Sequence, residues 1–229
     1  MQNKPRILLT GATSGIGQAI ARCLAADYPL VLHGRYEEKL SALKKTLASA
    51  NPVETWTCDL ADTAGLKSSL KEFLAAKAIK ISGFVHCAGM LKIMAFKNFR
   101  EDFIREIFNV NLFSAVEILQ TLLSKTNISY LNRVVFISSL SSRRGDRGNT
   151  MYAASKGALD SLVRSLAIEL APDITVNSVL PGTIETEMSR AVFANPQQKA
   201  ELDAKYPLGA GKPDDVASMV KFLLSSDAR

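Results

Sequence analysis

The sequence is poor in cysteine, in long apolar runs and in charge of one sign. Its three cysteines, Cys23, Cys58 and Cys87, are odd in number and widely spaced. That excludes a disulfide framework and gives no sign of a zinc site, so reduced buried thiols are expected. The longest apolar stretches, such as 7–9 and 134–137, break off well short of the roughly 18 to 20 residues that cross a bilayer. The opening Met1-Gln2-Asn3-Lys4-Pro5-Arg6 leaves no room for the apolar segment of a signal peptide, and a cytoplasmic protein without membrane attachment is expected. Twenty-eight basic residues against 22 acidic give a formal charge of +6, but the two signs are interspersed, as in Glu37-Glu38-Lys39 and Arg100-Glu101-Asp102. Apart from the short cluster from Arg143 to Arg147 this is a solvated mixed surface, and no nucleic-acid partner is expected. What is present is 47% hydrophobic residues against 22% charged, enough apolar side chain for one sizeable core.

Short β-rich runs alternate with helical patterns along the whole chain. Strands are expected at 6–10, 30–34, 54–58, 83–87, 133–138 and 174–180. Helices are expected at 16–26, 37–49, 63–78, 99–123 and 151–170, where apolar residues recur three and four apart. Strands joined by helix-length crossovers pair in parallel, and right-handed crossovers cover both sheet faces. The expected fold is therefore α/β: a doubly wound, Rossmann-type parallel sheet in one domain over 1–229. The stretch 181–212 reads as irregular, with a substrate loop at about 187–212, and Pro213-Asp214-Asp215 opens a last helix through Leu224.

The first strand delivers Thr10-Gly11-Ala12-Thr13-Ser14-Gly15-Ile16-Gly17, and a helix follows at once. Glycines there allow a tight turn and close backbone approach to a ligand, while free N–H groups at the helix end receive a pyrophosphate. The turn ends Gly17-Gln18-Ala19, without the lysine and hydroxyl residue that a P-loop needs. The second strand ends His33-Gly34-Arg35, and an arginine in that place accommodates a 2′-phosphate, so NADP is expected over NAD. Later in the chain Tyr152 and Lys156 stand four apart on one helical face. Ser139 closes the fifth strand, and Asn111 interrupts an apolar helix in which asparagine is a poor interior residue.

Together these residues resemble the short-chain dehydrogenase/reductase family, over essentially the whole chain. The pattern runs Thr10-Gly11-x-x-x-Gly15-x-Gly17, Asp59-Leu60, Ala88-Gly89, Asn111, Ser139, Tyr152-x-x-x-Lys156 and Pro181-Gly182. The resemblance implies a catalytic tetrad of Asn111, Ser139, Tyr152 and Lys156, with Asn111 holding a water that links Lys156 to solvent. It also implies Asp59 near an adenine, and Ile184 and Thr186 near a nicotinamide carboxamide. The full cofactor set expected is Gly11, Thr13, Ser14, Gly15, Ile16, Gly17, Arg35, Asp59, Leu60, Cys87, Ala88, Gly89, Tyr152, Lys156, Pro181, Gly182, Ile184 and Thr186, with no metal.

The residue types suit carbonyl reduction on their own terms. A hydride added to a carbonyl carbon leaves charge on oxygen that must be met by a proton. Tyr152 is the candidate donor, Lys156 the cation expected to draw its pKa down from about 10, and Ser139 a hydrogen-bond donor to the substrate oxygen. His86-Cys87 stands where the family often has Asn-Asn; adjacent strand residues point to opposite faces, which argues against a thiol–imidazole pair. The family also usually continues into a seventh strand, which is absent from this sequence.

The expected activity is NADP(H)-linked interconversion of a carbonyl and a secondary alcohol, and the alternative is a non-catalytic NADP(H)-binding regulator. The motifs come nearest to the 3-oxoacyl-carrier-protein reductase branch. However, Leu170-Ala171-Pro172-Asp173 lacks the arginine that such enzymes typically place before strand six. A carrier-bound β-ketoacyl group is thus one candidate beside sugars, steroids and small ketones. Surplus apolar residues on the 99–123 and 151–170 helices predict a homodimer or homotetramer.

Overall fold

The structure is a computed structural model that describes residues 5–47, 49–194 and 196–228. In chain order it runs β1 (Arg6–Thr10), α1 (Gly15–Ala25), β2 (Leu30–Gly34), α2 (Glu37–Thr46), β3 (Val53–Thr57), α3 (Leu66–Ala76), β4 (Ile81–His86), α4 (Glu101–Phe108), α5 (Ser114–Leu122), β5 (Arg133–Ile137), α6 (Thr150–Glu169), β6 (Thr175–Val179), α7 (Arg190–Ala194), α8 (Pro196–Lys205) and α9 (Pro213–Leu224). All strand pairs are parallel, in the order β3-β2-β1-β4-β5-β6. The order reverses where β1 meets β4, with Ile7 beside Gly83 and Leu9 beside Val85. Connections leave in opposite directions there, and a crevice opens beyond the carboxyl ends of the strands.

Alternation along β1 shows how both faces are filled. Leu8 enters a core with Phe84, Phe136, Leu70, Ile118 and Leu159, beneath α3, α5 and α6. Ile7 and Leu9 enter the other with Ile20, Leu24, Leu40 and Val220, beneath α1, α2 and α9. Burial on both faces is why these strands read as continuous apolar runs. Among the described residues no helix is long and apolar enough to cross a membrane.

Two expectations are corrected. The helix expected over 99–123 is three pieces, because a π-helical turn, Asn109–Phe113, separates α4 from α5. Within it Asn111 is fully buried, its amide spent on groups outside the helix. The stretch 181–212 is largely helical rather than irregular, holding a short 3-10 turn, α7 and α8. Pro196 misleads the reading: proline breaks a helix interior but suits the first turn, where its missing N–H has no partner to lose. Lesser shifts have local causes. Helix α3 starts at Leu66 rather than 63 because the Asp59 and Asp62 carboxylates accept from the amides of Ala61 and Ala64, making turns in its place. Helix α2 stops at Thr46, and residue 48 of the expected 37–49 helix lies outside the described residues.

Candidate active site

The glycine turn after β1 is shaped by contacts that no side chain could survive. Gly11 has φ +65°, and a Cβ there would stand 2.7 Å from the Ala88 backbone. A Cβ on Gly17 would lie 2.1 Å from the Gly11 carbonyl oxygen. Ser14 caps α1, its hydroxyl accepting from the Gly17 amide at 3.0 Å. Two buried imidazoles brace the turn from below. The Gly11 amide donates to His33 Nδ1 at 3.4 Å, while His33 Nε2 lies 3.1 Å from the Cys58 carbonyl, which fixes the ring proton on Nε2. His86 Nδ1 lies 3.0 Å from Thr10 Oγ1, which also accepts from the Ala88 amide. Burial drives His33 down to about 4 and His86 to about 3, so both rings are neutral. Neighbouring Cys87 faces the cleft instead, 4.0 Å from Ser14 Oγ, with burial pushing its thiol up to about 11. No thiolate nucleophile is built here.

The proton-handling residues converge from β4, β5 and α6. Ser139 and Tyr152 line one cleft of about 560 Å³ together with Lys156, Thr13, Ser14, Gly15, Ile16, Cys87, Gly89, Pro181, Gly182, Ile184 and Thr186. A hydrogen bond from Ser139 pulls the Tyr152 phenol toward ionisation, but burial outweighs it and holds the pKa above the ordinary value. That corrects the expectation that Lys156 draws it down. The ammonium is turned to the Ile137 carbonyl at 2.8 Å and sits 5.9 Å from the Tyr152 ring centroid. Lys156 itself is buried, which lowers its pKa to about 8, with the Asp160 carboxylate working in the opposite direction. Gly89 keeps this corner open, since a Cβ there would meet Lys156 Nζ at 3.4 Å and Asn111 Oδ1 at 3.6 Å. Asn111 stands behind the cleft wall. Its Oδ1 accepts from the Met90 amide at 2.8 Å, and its Nδ2 donates to the Met90 carbonyl at 3.1 Å and Ser155 Oγ at 2.9 Å.

A second hollow of about 290 Å³ continues over the sheet edge, lined by Gly11, Arg35, Asp59, Leu60, Ala88 and Gly89. Of the sequence-predicted set only Gly17 and Asn111 line neither space. Arg35 lies with its guanidinium carbon 5.5 Å from the Tyr36 ring centroid, and Lys39 Nζ is 5.3 Å from the same ring. The nearest acid is spent elsewhere: Glu37 accepts from Thr57 at 2.5 Å, Thr55 at 3.2 Å and Ser41 at 3.1 Å. The Thr57 hydrogen bond leads in holding its carboxyl below the usual range.

Sequence reasoning missed Tyr36 and Lys39 here, and Leu91, Ile93, Arg144, Asp146, Asn149 and Tyr206 at the far end of the larger cleft. Arg144 had a signal, the basic cluster between Ser139 and Tyr152. Tyr206 had none, because only folding brings it beside residues from β5.

Comparison with known sequences decides the family. The family described as enoyl-(acyl carrier protein) reductase matches residues 11–229. The chain belongs to the short-chain dehydrogenases/reductases. It is 35% identical over 225 residues to the 3-oxoacyl-[acyl-carrier-protein] reductase FabG of Rickettsia conorii, covering 96% of this chain and 89% of that one. With the FabG of Salmonella typhimurium the identity is 32% over 223 residues, covering 96% and 90%. Among solved structures, a gluconate 5-dehydrogenase from Burkholderia cenocepacia in complex with NADP and tartrate superposes with a TM-score of 0.88 at 27% identity, over 98% of this chain and 90% of that one. This short-chain dehydrogenase/reductase is therefore an oxidoreductase enzyme using a nicotinamide cofactor. Its own residues fit the dinucleotide: the cradle that a Cβ on Gly11 or Gly17 would obstruct opens onto both hollows.

Proposed function

We propose that the enzyme is an NADPH-dependent carbonyl reductase with Tyr152 as its proton donor. The carrying observation is the convergence of Ser139, Tyr152 and Lys156 on the cleft that the glycine cradle enters. When bound, the nicotinamide supplies a hydride to the carbonyl carbon. Ser139 orients the carbonyl oxygen, and the Tyr152 O–H bond breaks to deliver its proton there, leaving a secondary alcohol and a tyrosinate. Lys156, charged below about pH 8, stabilises that tyrosinate from one helical turn away. Asn111 positions the Met90 backbone and Ser155 around this lysine.

Preference for NADP rests on Arg35 and Lys39, two cations beside one hollow whose nearest acid, Glu37, is bonded to β3. The FabG relatives make a 3-oxoacyl thioester one substrate to test. Assembly into at least a dimer is supported by apolar side chains left on the outer faces of the helices, with Phe113 48% and Ile168 82% exposed. Loss of NADPH absorbance against a panel of ketones, sugars, steroids and acyl thioesters tests the activity. No turnover of any of them would contradict it.

A further inference from the structure

The end of the cleft farthest from the glycine turn carries a cation that its surroundings do not neutralise. Arg144 follows Ser139 by five residues and lines the same space as Ser139 and Tyr152. Its Nη2 donates to the Tyr206 hydroxyl at 2.5 Å, its guanidinium carbon lies 5.4 Å from that ring's centroid, and its Nε is 3.7 Å from Asp146 Oδ2. Asp146 is shared, because its other oxygen lies 3.9 Å from Lys205 Nζ. Two cations thus divide one carboxylate, leaving a positive charge over. Glu187, also on the cleft wall, is 85% exposed and turned to Arg190 at 3.9 Å, too solvated to offset it.

The guanidinium is also held in place. Tyr206 packs against Gly182 so closely that a Cβ there would stand 2.7 Å from the ring. A ring fixed on one side by backbone, with its hydroxyl bonded to Arg144, orients the planar fork while leaving donors unspent. With 38% of the side chain exposed, those donors remain accessible. Such a fork matches a carboxylate in a bidentate way.

We infer that Arg144 is the specificity-determining residue of this cleft and binds a carboxylate on the substrate, so that oxocarboxylates are preferred over uncharged ketones. The inference rests on the carbonyl-reductase reading for its substrate class but not for its test. Titration calorimetry of the protein with saturating NADP+ would use 2-oxopentanoate, 4-oxopentanoate and 5-oxohexanoate, each beside its methyl ester. NADPH oxidation would be followed with the same pairs. At least one acid binds about tenfold or more tightly than its ester, as a charge-assisted hydrogen bond implies. Arg144→Met removes that advantage and raises KM for the acid at little change in kcat, leaving the ester unaffected. Arg144→Gln, which keeps a donor for Tyr206, gives the same comparison if the methionine variant unfolds at lower temperature. Three acids that bind no better than their esters, or variants that weaken acid and ester alike, would overturn the inference. Arg144-dependent binding of an acid without NADPH oxidation would support the anion site while counting against the reductase reading.

Discussion

The two ends of the cleft are built from different materials. The cofactor end is backbone: a tight glycine turn, a capped helix and two neutral histidines beneath them, nearly all buried. The substrate end is side chain, contributed by the 140s segment, the Gly182 turn and the end of α8, with Ile93 61% and Leu208 101% exposed near it. A dinucleotide is the same in every enzyme that uses one, so its site can be set in main-chain geometry. Substrates differ, and exposed side chains on loops can change without disturbing the sheet.

That contrast is sharpest where the ends meet. Tyr152→Phe keeps the ring and removes the transferable proton, so turnover falls by at least ~10²-fold while NADPH titration shows cofactor binding intact. Near wild-type turnover would mean that the two ends share no chemistry.

Arg35→Asp acts on the cofactor end alone. Replacing an attractive contact to a 2′-phosphate by a repulsive one weakens NADPH by about ten- to a hundredfold and improves NADH, with KM for the carbonyl substrate unchanged. An unchanged ratio of the two cofactor affinities would take Arg35 out of the site.

A pH profile probes the seam more gently. Reduction needs the Tyr152 proton, which burial holds on the phenol, and the Lys156 ammonium, which is lost above about pH 8. The rate of carbonyl reduction is therefore level near neutrality and falls above about pH 8. A profile level through pH 9 would show that the lysine charge is not used.

The smallest effect concerns stability. His33 and His86 are held neutral in the fold, at about 4 and about 3. The unfolded chain binds protons at these rings near 6.5. The folded state accordingly has this stabilisation in full above pH 6.5 and loses it as the pH falls toward 4. His86→Asn, an amide that still reaches Thr10, makes the decline of the urea midpoint between pH 6.5 and 4 shallower. An unchanged slope would assign the acid sensitivity to other groups.

How much of this was legible in the sequence divides along the same line. Gly11, Gly15 and Gly17 could be placed because a βα turn of that shape admits few other residues, and Tyr152 with Lys156 because four-residue spacing puts them on one face of a helix. The six strands followed from apolar runs bounded by turn residues, since sheet burial on both faces leaves that trace. Tyr206 and Asp146 left none: an exposed tyrosine and an exposed acid look alike whether or not they border a cleft. Lys156 was placed correctly, but its hydrogen bond to Ile137 was not foreseeable, because that carbonyl is released at the end of β5 by the way the chain turns at Ser138. Helix α8 was hidden by a proline whose effect depends on where in the helix it falls.

The π-helical turn at Asn109–Phe113 has a historical consequence. One residue in an α-helix corresponds to about 100° of rotation. Removing the extra residue would turn everything after it by that amount, carrying Ile118 and Leu122 away from the core they now fill completely. Keeping those two in register without the π turn would demand simultaneous changes along α5. The inserted turn therefore acts as a ratchet: once Asn111 faced inward and the downstream face had adapted, no single deletion led back.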